Sequence, residues 1–269
     1  MFNYLVRLCT GFTLLISGMK QINNAFKYAI EKDLKNYAKS DLNYIFVEMS
    51  IGIFLTMIVQ SSSIITLIVI ALVNSNVITF RQSAGIIMGS NIGTTITTHI
   101  LSFKMYNVIL YILAIGLVLY LIDYKPLKNI SKFLIGFSFI FYGLYFLESS
   151  VSLNYNEKLI IFIKKVSHNP VLSISAGILL TAIFQSSSLT SVFLVLIARL
   201  AHIDLKPAAL IIIGANIGTC ATSIIASFWA NRNAKKAALF HLFYNIIGAI
   251  FVICIFPLYI HIVNYVSPH

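Results

Sequence analysis

Gln60-Ser61-Ser62-Ser63 occurs a second time as Gln185-Ser186-Ser187-Ser188, 125 residues further along the chain. At the same offset, Gly89-Ser90-Asn91-Ile92-Gly93-Thr94-Thr95 returns as Gly214-Ala215-Asn216-Ile217-Gly218-Thr219-Cys220. Aligning residues 50–103 with 175–228 needs no gap and gives 23 identities in 54 positions. Shared apolar composition alone gives roughly one match in ten. The chain is therefore an internal duplication, and its most polar matching patches lie within its most apolar surroundings.

Hydrophobic residues make up 59% of the sequence and charged residues 10%, with a mean hydropathy of +0.91. Soluble domains carry about 25% charged residues, so the composition specifies an all-α polytopic membrane protein surrounded by a lipid bilayer. The formal charge of +11 does not indicate a nucleic-acid partner, because Lys and Arg stand in short clusters between apolar segments, where they anchor helix ends to headgroups. Cys9, Cys220 and Cys254 show no metal-ligand spacing, and their odd number opposes a complete disulfide framework. The apolar stretch from Leu8 to Met19 is expected to be a permanent span within residues 2–26. Its Gly11-Phe12 pairs with Gly136-Phe137 and its Gly18 with Gly143 at the repeat offset.

Taken in order, a first helix is expected to give way to a charged connector, Lys27 to Asp41. Apolar arms from Tyr44 to Val59 and from Ile64 to Val73 flank the first Gln-Ser-Ser-Ser. As helices they measure about 24 Å and about 15 Å, short of a hydrocarbon core about 30 Å thick. A re-entrant helical hairpin with the serines at its tip fits these lengths. Arg81 opens a helix expected to break at Gly89-Ser90-Asn91-Ile92-Gly93, since glycine in a helix costs about 1 kcal/mol relative to alanine. Tyr106 to Ile122 crosses back.

The second repeat runs likewise. Ser131 to Leu147 is a helix, Ser149 to Asn169 a polar connector, and Pro170 opens the second hairpin. Pro207 opens a second broken helix, and Ala237 to Ile260 is the final span. Each repeat crosses an odd number of times whether its hairpin arms span or return. Residues 1–124 and 125–269 are thus expected to be two inverted-topology repeats of one integral-membrane domain, a plan used by many secondary transporters. Twelve of the 19 Lys and Arg residues then fall on the face that holds Lys20 to Lys39, Arg81, Lys125 to Lys132 and Arg232 to Lys236. The positive-inside bias makes this face cytoplasmic, with both termini outside.

Opposed hairpin tips would meet near the midplane, each directing the free N–H groups and positive dipole of a helix start inward. Such a place holds an anion without a cationic side chain. The Asn-Ile-Gly segments add amide, hydroxyl and carbonyl oxygens suited to Na+, and each Gln supplies both a donor and an acceptor. No Asp, Glu, Lys or Arg lies within the four motifs. A buried multiply charged anion needs compensation, so co-bound cations would couple the two fluxes. Small and hydroxylated residues also let membrane helices approach one another, a reading that leaves the joint retention of both motifs in both repeats unexplained.

These motifs resemble those of the type II sodium–phosphate cotransporter family, whose hallmark is a duplicated Gln-Ser-Ser-Ser followed by Gly-x-Asn-Ile-Gly-Thr. The resemblance runs from about residue 8 to residue 250 and includes Ala237-Ala238-Leu239-Phe240-His241-Leu242-Phe243. It implies Na+-coupled transport of inorganic phosphate across the plasma membrane, with no enzymatic activity and no organic cofactor. By motif, Gln60, Ser61, Ser62, Ser63, Gln185, Ser186, Ser187 and Ser188 would bind phosphate. Gln60, Ser61, Asn91, Thr94, Gln185, Ser186, Asn216, Thr219 and Thr222 would hold Na+. The long loop and tails of animal members are missing, as in a minimal bacterial member, and a homo-oligomer is compatible with such a chain.

Glu48, twelve residues before Gln60, is expected at the membrane interface, as are His99 and His241, and Arg199 is expected to snorkel. A transporter of sulfate or a carboxylate is the alternative function, and a non-transporting phosphate sensor a further one. An intramembrane hydrolase lacks a repeated base and a Gly-x-Ser-x-Gly elbow.

Overall fold

The computed structural model describes residues 2–38, 44–102, 106–122, 124–151, 165–166, 168–201 and 204–266. Most of the expected connector from Ser149 to Asn169 lies outside these residues, as do the side chains of His99 and Arg199.

The first repeat contains α1 (Phe2–Ala38), α2 (Ile45–Val59), α3 (Ser62–Asn74), α4 (Phe80–Ser102) and α5 (Tyr106–Leu121). The second contains α6 (Lys125–Val151), α7 (Pro170–Phe184), α8 (Ser187–Ala201), α9 (Leu205–Gly218), α10 (Cys220–Ser227), α11 (Arg232–Cys254) and α12 (Phe256–Val266). Among the described residues, Pro126–Leu147, Leu205–Ser227 and Arg232–Cys254 are long and apolar enough to cross a membrane. The arms α2, α3 and α7 are apolar but shorter. This is an all-α membrane protein.

The equivalent helices α1 and α6 pack antiparallel through their glycines. A Cβ on Gly11 would lie 2.9 Å from the Gly143 carbonyl oxygen, and one on Gly136 would lie 2.6 Å from that of Gly18. The pairing is reciprocal: Gly11 meets the counterpart of Gly18, and Gly18 meets the counterpart of Gly11. A two-fold relation between two copies of one surface produces such a pattern.

Within each repeat, the helix before the tip lies against the Asn-Ile-Gly helix. Gly52 on α2 abuts the Ile86 carbonyl of α4, and Gly89 abuts that of Met49. In the second repeat Gly177 abuts Ile211, and Gly214 abuts Ile174. These contacts correct the expected breaks. Helix α4 runs without interruption from Phe80 to Ser102, and the second copy is interrupted only at Thr219, whose backbone stays helical at φ −59°, ψ −26°. The glycines are retained for the absence of a side chain, which lets two backbones touch, and that packing outweighs their propensity cost.

Two further boundaries differ from expectation. Helix α1 continues through the charged connector to Ala38, because Ile30 and Leu34, one turn apart, are buried against Val69, Val73 and Ala234. The final span stops at Cys254, and α12 restarts at Phe256. Pro257 in that first turn cannot donate a backbone hydrogen bond and would clash with the preceding turn of a continuous helix.

One end of the bundle gathers the basic clusters. The Asn231 backbone N–H donates to Asn74 Oδ1 at 2.7 Å, joining the α3–α4 turn to the start of α11. Phe26 and Phe133 meet edge to face, their ring centroids 5.7 Å apart, joining α1 to the start of α6.

Candidate functional site

Each Gln-Ser-Ser-Ser forms the turn between two helices. Gln60 ends α2 in the left-handed region at φ 58°, ψ 25°, and Gln185 ends α7 at φ 54°, ψ 26°. A non-glycine residue there carries backbone strain of about 1–3 kcal/mol, a cost that persists where surrounding structure over-determines it. The same residue in the same conformation at both turns marks a specified feature. Each Gln N–H donates to the carbonyl four residues back, Thr56 or Thr181, at 2.7 Å. The following serine is extended at the first turn, and α3 and α8 then begin, their first N–H groups lacking intrahelical partners.

The two turns are satisfied differently. In the second, Thr181 donates its hydroxyl to that of Thr190 at 2.9 Å, Thr190 donates to the Ser186 carbonyl, and Ser186 Oγ accepts from the Leu189 N–H. In the first, Ile65 stands where Thr190 would be, so the buried Thr56 hydroxyl has no partner. Gln60 donates Nε2 to Met57 O at 2.6 Å, while its buried Oε1 accepts nothing. An unpaired buried oxygen is costly, and Gln60 Oε1 and Thr56 Oγ1 are two such oxygens, four residues apart in the sequence.

The motif residues gather around two cavities of about 540 Å³ each. The first brings Ser61 and Ser63 of one turn to Gln185 of the other, together with Thr222, and is walled by Lys20, Asn24 and Glu31 of α1. The second brings together Asn91, Thr94, Ser187 and Asn216, with Ser191, Tyr244 and Asn245. Gln60, Ser62, Ser186, Ser188 and Thr219 are buried and line neither cavity. The second cavity is lined by no charged side chain; its polar lining is amides and hydroxyls, and the buried Asn91 Nδ2 has no partner. The hydroxyls of Thr94 and Thr219 donate to the Ser90 and Ala215 carbonyls at 3.0 Å.

Sequence reading missed Lys20, Asn24 and Glu31, which carry no motif, and Tyr244 and Asn245. A polar stripe was nevertheless present: positions 20, 24 and 31 share one face at 3.6 residues per turn. Two residues expected at the membrane interface, Glu48 and His241, are fully buried among the helices. Glu48 fits where Gly85 lacks a side chain, accepts from the Tyr37 hydroxyl at 3.4 Å and leaves Oε2 without a partner. His241 Nδ1 shares a hydrogen with Ser223 Oγ at 3.1 Å, and Asn245 Nδ2 donates to Cys220 Sγ at 3.4 Å. Cys220, in the place of Thr95, is therefore part of a polar joint between α10 and α11.

Comparison with known proteins accounts for this repeated arrangement. Residues 14–149 and 145–258 each match the family model described as Na+/Pi-cotransporter. The chain belongs to the Na+/Pi-cotransporter family. The chain is 32% identical to the uncharacterized protein YqeW of Bacillus subtilis over 206 residues, which are 76% of this chain and 66% of YqeW. It is 26% identical to the putative inorganic phosphate export protein YjbB of Escherichia coli, over 75% of this chain and 38% of YjbB. A 52-residue stretch, 19% of this chain and 8% of the relative, is 50% identical to human sodium-dependent phosphate transport protein 2B. The chain thus spans about two thirds or less of these relatives. No solved structure matches it. The relatives named for an activity are named for moving phosphate, which supports a non-enzymatic reading.

Proposed function

We propose that this protein carries inorganic phosphate across the cell membrane in company with Na+, binding both where the two Gln-Ser-Ser-Ser turns meet. The observation that carries this reading is the first cavity, where Ser61 and Ser63 of one repeat face Gln185 of the other. Helix starts at both turns favour an anion. The neutral oxygens of Asn91, Thr94, Asn216 and Thr219 favour a hard monovalent cation. Phosphate and Na+ neutralise each other, so binding of either favours the other.

Residues 1–124 and 125–269 are read as inverted repeats of one membrane domain, with α2–α3 and α7–α8 as hairpins that enter from opposite faces. The antiparallel, reciprocal contact of α1 with α6 supports this, because equivalent helices running in opposite directions imply opposite membrane topology. The clustering of Asn74, Asn231, Phe26 and Phe133 at one end supports a single basic, cytoplasmic face. Gating of one repeat against the other would expose the site alternately.

The names of the YjbB relatives favour a second reading in which net flux is outward, since a coupled carrier runs in whichever direction its gradients dictate. Substrate identity is tested by competition. Phosphate in excess should block uptake of labelled phosphate while sulfate and small carboxylates leave it unchanged. Block by sulfate would shift the assignment to another anion.

A further inference from the structure

The cavity where the turns meet contains one feature that the repeat does not duplicate. Lys20 of α1 lines it together with Ser61, Ser63 and Gln185. Its counterpart at the repeat offset is Tyr145, so the cation belongs to one half only. Read as sequence, Lys20 is an interfacial anchor like the other lysines of its cluster. The structure adds that it is exposed on the wall of this cavity. Ile16, one turn earlier on the same face, lines both this cavity and the neighbouring apolar one beside Phe184 and Gln185. Lys20 therefore stands within about one helical turn, roughly 6 Å along α1, of the level of the second turn.

Among the described residues, Lys20 forms no ion pair. Glu31 lines the same cavity but lies eleven residues further along α1, about 16 Å away along the axis, beyond the reach of a salt bridge. Lys20 is exposed at the wall of this cavity, so its ammonium keeps its charge and can meet an anion that enters there. The second cavity, lined by no charged side chain, offers no comparable charge.

Resting on the phosphate-carrying reading above, we propose that Lys20 is the phosphate-docking residue of this transporter. Its ammonium would hold the anion by charge in the cavity beside α1, where the hydroxyls of Ser61 and Ser63 and the Gln185 amide complete the donor set. The site would take a small oxyanion of phosphate type. A compact ammonium serves such an anion as a point charge. The cavity beside α1 is then the anion's path to the turns, and the neutral cavity is not. A lipid headgroup carries the same phosphate chemistry, so the test must separate the two sources.

The test measures binding of inorganic phosphate by calorimetry at saturating Na+, in detergent and in vesicles with and without anionic lipid. K20Q should raise the phosphate Kd about three- to tenfold, the loss of one charge-assisted contact. K20R should keep most of the affinity, and the Na+ concentration for half-activation should not move in either. As a second route, K20C in a background with Cys9 and Cys254 changed to serine should regain affinity with a cationic methanethiosulfonate and not with a neutral one. Wild-type affinity in K20Q, or equal rescue by both reagents, would overturn the proposal. So would an effect confined to vesicles with anionic lipid, which would assign Lys20 to a headgroup. A wild-type protein that binds no phosphate would instead overturn the transport reading itself.

Discussion

Gly18 and Gly136 face each other across the antiparallel contact of α1 and α6, and neither has room for a Cβ beside the other's carbonyl oxygen. Gly18→Leu or Gly136→Leu should force α1 and α6 apart, and the tertiary clash cannot be relieved by rotating a side chain. Overpacking of this kind costs about 1–3 kcal/mol or more. We expect a lower melting temperature and reduced yield of monodisperse protein. Gly248 meets nothing within 4 Å, so Gly248→Leu should leave the melting temperature near wild type.

Inverted topology is tested by accessibility. In a background lacking Cys9 and Cys254, cysteines placed at the exposed Ser75 and Asp204 should react with an impermeant reagent from opposite sides of the membrane. Reaction of both from one side would contradict the inverted repeats while leaving the helical fold in place.

Gln60→Ala and Gln185→Ala each remove an amide at a strained turn. Loss of a partner from a desolvated polar group costs about 1–3 kcal/mol, or roughly tenfold or more in phosphate affinity. Single Ser→Ala changes at 61, 62, 63, 186, 187 and 188 should cost less, because the backbone N–H groups at the helix starts survive. Calorimetry on the set should rank glutamines above serines, and the reverse order would move the anion away from the turns.

Much of this architecture was legible because it is written twice. The offset of 125 residues located the turns after α2 and α7 and the helix boundaries at Val59, Ser62 and Phe184 to within a residue or two. The glycines were harder. A Gly-x-Asn-Ile-Gly run has a poor helix propensity, yet Gly89 and Gly93 are required where α2 and α4 press backbone to backbone, and only the tertiary contact decides between breaking and packing. Lys20 was legible as a cation but not as a cavity residue, because the wall of a cavity comes from helices remote in sequence. The burial of Glu48 and His241 was not legible for the same reason: the helices that enclose them are remote in sequence.

Thr94→Val and Thr219→Val keep side-chain shape while removing an oxygen. Each hydroxyl now bonds a carbonyl one turn back, which the intact helix tolerates losing. The expected outcome is a raised Na+ requirement for transport with protein level and melting temperature retained. Unchanged Na+ dependence in both would make these threonines packing residues only.

The central claim is that phosphate and Na+ travel together through the meeting point of the two turns. Purified protein reconstituted into vesicles, with labelled phosphate supplied under an imposed Na+ gradient, tests it most directly. The account predicts phosphate accumulation that collapses when Na+ is replaced by choline and is lost in the Gln60→Ala, Gln185→Ala double variant. Equal phosphate flux in choline, or undiminished flux in the double variant, would contradict it.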